Sequence, residues 1–463
     1  MPPKYSPGAR RLGAALLLAG IIASAPSLLL AQKPESPNGM SLMMTGPLGL
    51  PMSRIGSGTA WLPDSAPMYG SMRSVGQWGV MSHFSVFVQG NAQGGPRGDT
   101  QFGSLNWGML GATHSLAGGR LQLRGMMSVD AFTVGGKGYP LLLQTGESYN
   151  GEALHDRQHP HDLFMEIAAV YDRALTDNVA MQLYLAPAGE PASGPVAFPH
   201  RPTAVADPFA TISHHWQDAT HVSFGVATAA VYTRRLKIEG SLFNGREPDD
   251  TRTNLDYRRA KLDALAARVT FNPDGRTAMS ASFANLPDAE VKHAGESLRR
   301  ATASVLHTQS RADNGSLSLA LIVGANALEQ EHWSPSVTAE ALRDFRGKMT
   351  VFARGEVVRK SSEELVVTLA ENPKTIPLPV GDKVHDNGFT LSTFTLGAVR
   401  ELSAGKLGLL GLGARGTLNL VPKSLSATYG SRTPVGGAVY LRWRPSRMRS
   451  VSGMADMKHM HGM

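Results

Sequence analysis

The sequence predicts an all-β chain that forms a closed antiparallel transmembrane β-barrel of about 16 strands, within a range of 12 to 18, with Pro- and His-rich loops. Three observations lead to this prediction. Segments of alternating polarity follow one another from residue 79 to residue 444, turn-forming Gly, Pro, Asn and Asp separate them, and a targeting segment precedes them. The 463 residues include no Cys, which excludes disulfides, thiol enzymes and Cys-based metal sites.

The first part of the chain is expected to serve export. Residues 1–31 combine a positively charged start, an apolar run and small residues before Gln32, which is typical of a cleaved signal peptide. Residues 32–78 are rich in Met, Gly and Pro without a sustained period, which indicates a flexible or plug-like leader. No apolar stretch long enough for a membrane helix follows residue 31, so a helical membrane protein is excluded.

The strands of the predicted barrel domain, residues 79–444, carry charge on one face and aliphatic side chains on the other. Leu236 and Ile238 alternate with Lys237 and Glu239, for example. A soluble sandwich shows the same stripe, but the unbroken series, the export signal and the mixture of tight turns with long loops favour a barrel. The predicted strands lie near residues 79–89, 101–115, 119–132, 164–175, 178–187, 211–231, 234–244, 258–271, 276–286, 298–311, 315–327, 336–345, 347–359, 388–402, 405–420 and 432–444. The predicted lumen residues that set selectivity are Arg157, Arg235, Lys237 and Glu239.

Histidines concentrate in two groups, one between the third and fourth predicted strands and one within the sixth. On an extended chain His155, His159 and His161 share one face, and neutral imidazoles at this spacing can bind one divalent ion while neighbouring Asp residues orient them. The second group contains His214, His215 and His221. Strand parity directs the last two toward the lumen, where they would form a constriction or an ion-binding ring. The alternative is a polar loop whose imidazoles only form hydrogen bonds.

Four segments, at residues 151–162, 187–202, 213–226 and 240–249, resemble an uncharacterised family of Gram-negative outer-membrane barrel proteins. The resemblance covers roughly residues 79–444. It implies a barrel surrounded by outer-membrane lipid and an association with heavy-metal resistance, chiefly to copper. No agreed activity comes with it.

The C-terminal segment, residues 445–463, carries a separate metal signal. Met residues recur at every third position and alternate with His, and soft thioether sulfur favours Cu(I) or Ag(I). The predicted ligands are Met454, Met457, His459, Met460, His461 and Met463. A featureless flexible end is the alternative. Beyond copper or silver ions no cofactor is expected.

The sequence therefore predicts a non-enzymatic channel or binding protein of the outer membrane that handles copper or another heavy metal. Its expected partners are lipid, metal ions or small solutes, and periplasmic metal-export proteins. The net charge of +8 is spread along the chain, so no nucleic-acid partner is expected. Two alternatives stay open. One is a general porin with no metal role, and the other is a lipid hydrolase that uses His221 and Ser223 as base and nucleophile.

Overall fold

The computed structural model describes residues 45–448, apart from 258–260, 291–292, 294, 312–314, 329–332, 368–387 and 406–407. The predicted signal peptide and all six predicted metal ligands of the C-terminal tail lie outside the described residues. No helix in the described part of the chain is both long and apolar enough to cross a membrane.

The described residues form nineteen strands, three one-turn helices and a few 3₁₀ turns. The strands are β1 (Ser71–Val75), β2 (Trp78–Gln93), β3 (Thr100–Leu116), β4 (Gly119–Met127), β5 (Tyr139–Tyr149), β6 (Glu152–Gln158), β7 (Phe164–Ala174), β8 (Ala180–Gly189), β9 (Ser223–Tyr232), β10 (Leu236–Phe243), β11 (Ala264–Asp274), β12 (Thr277–Pro287), β13 (Ser297–Ser310), β14 (Ser316–Leu328), β15 (Ser334–Phe345), β16 (Met349–Lys360), β17 (Phe389–Gly405), β18 (Gly408–Leu420) and β19 (Val435–Arg444). The helices are α1 (Asp130–Thr133), α2 (His214–Gln217) and α3 (Ser426–Tyr429), and the 3₁₀ turns are Pro47–Gly49, Met52–Arg54, Ala219–His221 and Lys423–Leu425.

Sixteen of these strands form a closed antiparallel barrel in the order β2, β3, β4, then β7 to β19. The barrel closes where β19 pairs with the second half of β2, for example Val439 opposite Gly90. The short strand β1 pairs with the first half of β2, and β5 and β6 form a separate hairpin. This architecture confirms the predicted fold class, and every predicted strand has a counterpart in the wall.

The barrel wall has the opposite polarity to a soluble protein. In β10 the aliphatic Leu236 and Ile238 are 38% and 56% exposed, whereas Lys237 and Glu239 between them are 0% and 3% exposed. The neighbouring strand β11 repeats the pattern with exposed Leu265. Since soluble proteins bury aliphatic side chains and solvate charges, this exterior is built for an apolar solvent.

The lumen is filled by other parts of the chain. We call residues 45–70 the leader plug and residues 190–222, which connect β8 to β9, the inward loop. Almost the whole inward loop is buried, and lumen-facing side chains of several strands contact the leader plug. After β19 the chain returns to the leader plug, where Tyr69 pairs with Arg447. Residues 32–44 of the predicted leader lie outside the described residues.

Two sequence-based details need correction. The predicted strand at 211–231 exists only from Ser223 onward, because residues 211–222 lie inside the barrel and form α2 and a 3₁₀ turn instead. In addition, β6 ends at Gln158 before His159-Pro160, so His155 does not share an extended face with His159 and His161.

Candidate functional site

The inward loop is fixed to the barrel wall by buried ion pairs. Arg201 of the loop donates to both carboxylate oxygens of Glu340 on β15, at 2.7 and 3.1 Å. The same carboxylate accepts hydrogen bonds from Thr203 of the loop at 2.5 Å and from Arg354 on β16 at 3.0 Å. Charge-assisted bonds of this kind are short and directional, so the loop is held in one position.

A second anchor lies six residues further along the loop. The carboxylate of Asp207 pairs with Arg354 at 3.1 Å and with Arg415 on β18 at 2.8 Å. Next to it, the Tyr440 hydroxyl donates to the carbonyl of Ala206 at 2.7 Å. The loop therefore contacts β15, β16, β18 and β19, which lie on one side of the point where the barrel closes.

The leader plug is bound by β10 and β11 of the barrel wall. Thr59 donates from its hydroxyl to Glu239 at 2.5 Å, and the carbonyl of Thr59 accepts from Lys237 at 2.5 Å. Arg268 on β11 completes the group, with Nη2 donating to the Thr59 hydroxyl at 3.0 Å and Nε donating to Glu239 at 2.9 Å. Lys237 and Glu239 thus face the lumen as the sequence suggested, but they bind the plug rather than open water.

The other two predicted lumen residues lie elsewhere. Arg235 is exposed in the turn between β9 and β10, because β10 begins one residue later, at Leu236. Arg157 lies on the hairpin strand β6 and pairs with Asp99 at 2.7 Å. Neither side chain is part of the barrel wall.

Small cavities lie between these elements. Four of those in the described part of the chain hold about 50, 10, 30 and 40 Å³. Spaces of this size accommodate a few water molecules. The inward loop and the leader plug therefore occupy the part of the lumen in which these cavities lie.

The structure brings the two predicted histidine groups together inside the lumen. The ring centroids of His214 lie 5.1 Å from those of both His215 and His221. His161 lies 5.5 Å from His221, and His159 lies 5.9 Å from His215. One nitrogen each of His159, His214 and His215 lie within 4.8 Å of one another.

Four of these imidazoles direct Nδ1 toward an oxygen atom. The Nδ1 partners are the Asp218 carboxylate for His214 at 2.7 Å, the Asp130 carboxylate for His161 at 2.8 Å, the Asp218 carbonyl for His221 at 2.8 Å and the Pro160 carbonyl for His159 at 3.1 Å. A neutral ring that donates from Nδ1 leaves Nε2 with a free lone pair. Burial lowers the pKa of His159, His215 and His221 below the ordinary value, which favours neutral rings.

His155 stands apart from this cluster. Its side chain is 37% exposed, and its Nδ1 lies 2.9 Å from Asp156 and 3.2 Å from Arg97. Of the six predicted metal-binding histidines of the barrel domain, it is the one that the fold places in a different environment.

The proposed hydrolase pair lacks the geometry of an activated nucleophile. The Ser223 hydroxyl donates to the carbonyl of Thr220 at 3.1 Å. His221 uses Nδ1 for the Asp218 carbonyl, and its Nε2 has no hydrogen-bond partner. Neither ring nitrogen is therefore bonded to the Ser223 hydroxyl, as a general base would be.

Sequence reasoning missed the residues that anchor the loop and one neighbour of the cluster. Glu147, on β5, lies 2.8 Å from Nε2 of His159 and 2.7 Å from Arg252. No local motif marks it. Glu340 and Arg354 occupy lumen-facing positions in the alternating pattern of β15 and β16, and this alternation is the sequence signal that could have identified them.

No family model and no curated protein matches the sequence. Among solved structures, the chain is similar to OmpF of Salmonella typhi in complex with daunomycin, with 10% identity, 79% of this chain and 97% of that chain covered, and a TM-score of 0.48. It is also similar to an anion-selective porin from Comamonas acidovorans, with 12% identity, 79% of this chain and 99% of that chain covered, and a TM-score of 0.43. A third similar structure is OccAB2 of Acinetobacter baumannii, with 9% identity, 80% of this chain and 98% of that chain covered, and a TM-score of 0.39. Likeness at this level carries no argument about activity, and nothing in it supports the predicted association with copper resistance.

Proposed function

We propose that the chain is a porin-type barrel of the Gram-negative outer membrane that passes or binds small solutes selectively, with the inward loop and leader plug closing its lumen. The exposed aliphatic side chains, such as Leu236, Ile238 and Leu265, would contact lipid. Barrel closure supports this location, because lipid offers no partner for the backbone groups of an open sheet edge.

The observation that carries the proposal is the Arg201–Glu340 pair. Both side chains are at most 1% exposed at a position where an open pore would contain water. The contact is bidentate and charge-assisted, and such geometry holds the loop against displacement by thermal motion. Passage of a solute then requires a trigger that moves the loop.

A general porin without a metal role is the second candidate, and the sixteen-strand barrel of this chain supports it equally. It requires a continuous water path, and the inward loop would have to leave the lumen to provide one. The two candidates therefore differ in the resting state of the loop.

Conductance in planar bilayers separates them. We expect the purified wild-type chain to give small or rare current steps, and a variant with residues 191–211 replaced by a short Gly-Ser linker to give steps several times larger. Arg235→Ala, in an exposed turn, is the matched control and should behave as wild type. Wild-type steps as large and frequent as those of the linker variant would show a general porin.

A further inference from the structure

The histidine cluster contains a set of nitrogen atoms that the pore function does not use. His159 follows the hairpin strand β6, whereas His214 and His215 belong to α2 in the inward loop. We propose that His159, His214 and His215 bind one divalent late transition-metal cation, such as Zn²⁺, Cu²⁺ or Ni²⁺. This inference goes beyond the proposed function, because binding is a property of the closed barrel whether or not a solute passes.

The spacing of the three nitrogens fits a common centre. They lie within 4.8 Å of one another. In a tetrahedral zinc site with metal–nitrogen distances near 2.0–2.1 Å, neighbouring ligand atoms are about 3.3 Å apart. The widest separation of the three nitrogens exceeds that of a formed site by about 1.5 Å at most, and imidazole is a ligand that suits zinc, copper and nickel.

The surroundings of His214 match those of a metal ligand. Its Nδ1 faces the Asp218 carboxylate at 2.7 Å, which fixes the ring and leaves Nε2 available. Carboxylate partners of this kind commonly orient metal-binding imidazoles and increase their basicity. Asp218 is itself held by the backbone N–H of Phe198 at 3.0 Å and by Arg201 at 3.3 Å, so the orientation is built into the loop anchor.

His159 and Glu147 place two metal-binding atoms side by side at the edge of the cluster. The His159 ring directs Nδ1 toward the Pro160 carbonyl at 3.1 Å, and a carbonyl can only accept, so Nδ1 carries the proton. Its Nε2 lies 2.8 Å from Oε1 of Glu147 and forms an ion pair with it when the ring is protonated. In the neutral ring, a lone pair then faces a carboxylate. A metal ion between the two atoms would bind both, which makes Glu147 a candidate fourth ligand.

His215 is positioned by a glycine. Gly146 has a φ of +119°, and a Cβ atom at that residue would lie 2.4–2.6 Å from three atoms of the His215 ring. Only glycine permits this approach. A cavity of about 40 Å³, lined by Glu147, His215 and Glu247 among others, adjoins the ring on the side of the hairpin and offers a polar space for an entering ion.

The alternative is a buried polar cluster with no ligand, and metal content distinguishes the two. The full-length protein in detergent is stripped with a chelator, equilibrated with Zn²⁺, desalted and analysed for bound metal per chain. The combined variant His159→Gln, His214→Gln, His215→Gln should hold one equivalent less than wild type. His155→Gln lies outside the cluster and should match wild type. Because every comparison retains the C-terminal Met and His residues, any metal that they hold cancels.

A spectroscopic readout covers the case in which the triple variant does not fold. Wild-type protein loaded with Co²⁺ should show the visible absorption of a four-coordinate site, and X-ray absorption of the Zn²⁺ form should show a shell of three imidazole nitrogens. Gly146→Ala keeps all ligands and should lower Zn²⁺ affinity at least tenfold. Equal metal content in wild type and triple variant, or a shell without imidazole, would overturn the proposal, whatever the conductance measurements show.

Discussion

Arg201 of the inward loop donates to both carboxylate oxygens of Glu340 on β15, at 2.7 and 3.1 Å, with both side chains excluded from solvent. This bidentate pair links a connecting segment to the wall that surrounds it. It indicates that the position of the inward loop inside the barrel is a defined state of the fold, since a loosely held loop would not meet a geometrically matched partner on the wall.

Replacing Arg201 tests this link. Arg201→Ala should destabilise the barrel by about 3–5 kcal/mol, because Glu340 loses two of its charge-assisted bonds, and it should raise bilayer conductance by releasing the loop. Urea titration followed by the gel shift of folded against unfolded protein measures the first effect. Arg201→Lys keeps the positive charge but cannot donate to both carboxylate oxygens as a guanidinium does. Its stability and its conductance should therefore lie between those of wild type and Arg201→Ala. An alanine variant with wild-type stability and conductance would show that the pair does not hold the loop.

The leader plug offers an independent test at Glu239. Glu239→Gln removes the carboxylate that the buried cations Lys237 and Arg268 share, so we expect a loss of about 3 kcal/mol or more in the free energy of unfolding. The double replacement Lys237→Met, Glu239→Leu removes charge of both signs and should cost less. Urea titration of both variants checks the order of stability, and the reverse order would contradict the assigned pairing.

Glu190, at the start of the inward loop, predicts a pH dependence. Burial raises its pKa from 4.5 to about 8, and the nearby Arg268 only partly offsets this effect. Between these two values the folded state retains a proton that the unfolded chain has lost, so the contribution of Glu190 to stability falls as pH rises through this window and is constant above pH 8. Because Gln cannot ionise, the stability advantage of Glu190→Gln over wild type should grow from pH 4.5 to pH 8. An advantage that is constant with pH would contradict the raised pKa.

The alternation of polar and apolar residues made the barrel wall predictable from the sequence. The hairpin strand β5 lacks this alternation and was therefore not predicted. Leu236 to Glu239 change environment at every residue because one side of β10 faces the lumen contents and the other faces outward. In β5, by contrast, Leu141, Leu142 and Leu143 are all buried, because the hairpin is surrounded on both sides. A strand of this kind has no period-two pattern to detect.

The histidine cluster was predictable in composition and not in geometry. The sequence identified the two groups, but it assigned His215 and His221 to a strand and paired His155 with His159 by parity. The actual arrangement depends on α2 and on the end of β6, neither of which has a strong local signal. Metal binding by these residues and by the C-terminal Met and His residues stays a prediction.

The most direct test asks whether lipid contacts the aliphatic face of the wall. Since the natural chain has no Cys, single cysteines can be labelled with a fluorophore without background. Leu265→Cys and Ala266→Cys are neighbours on β11, and the residues they replace are 59% and 7% exposed. In vesicles containing nitroxide-bearing lipids, the account predicts strong quenching at position 265 and little at position 266. Equal quenching at both positions would contradict it. So would a fluorophore at position 265 that is quenched by a water-soluble quencher and not by the nitroxide-bearing lipids.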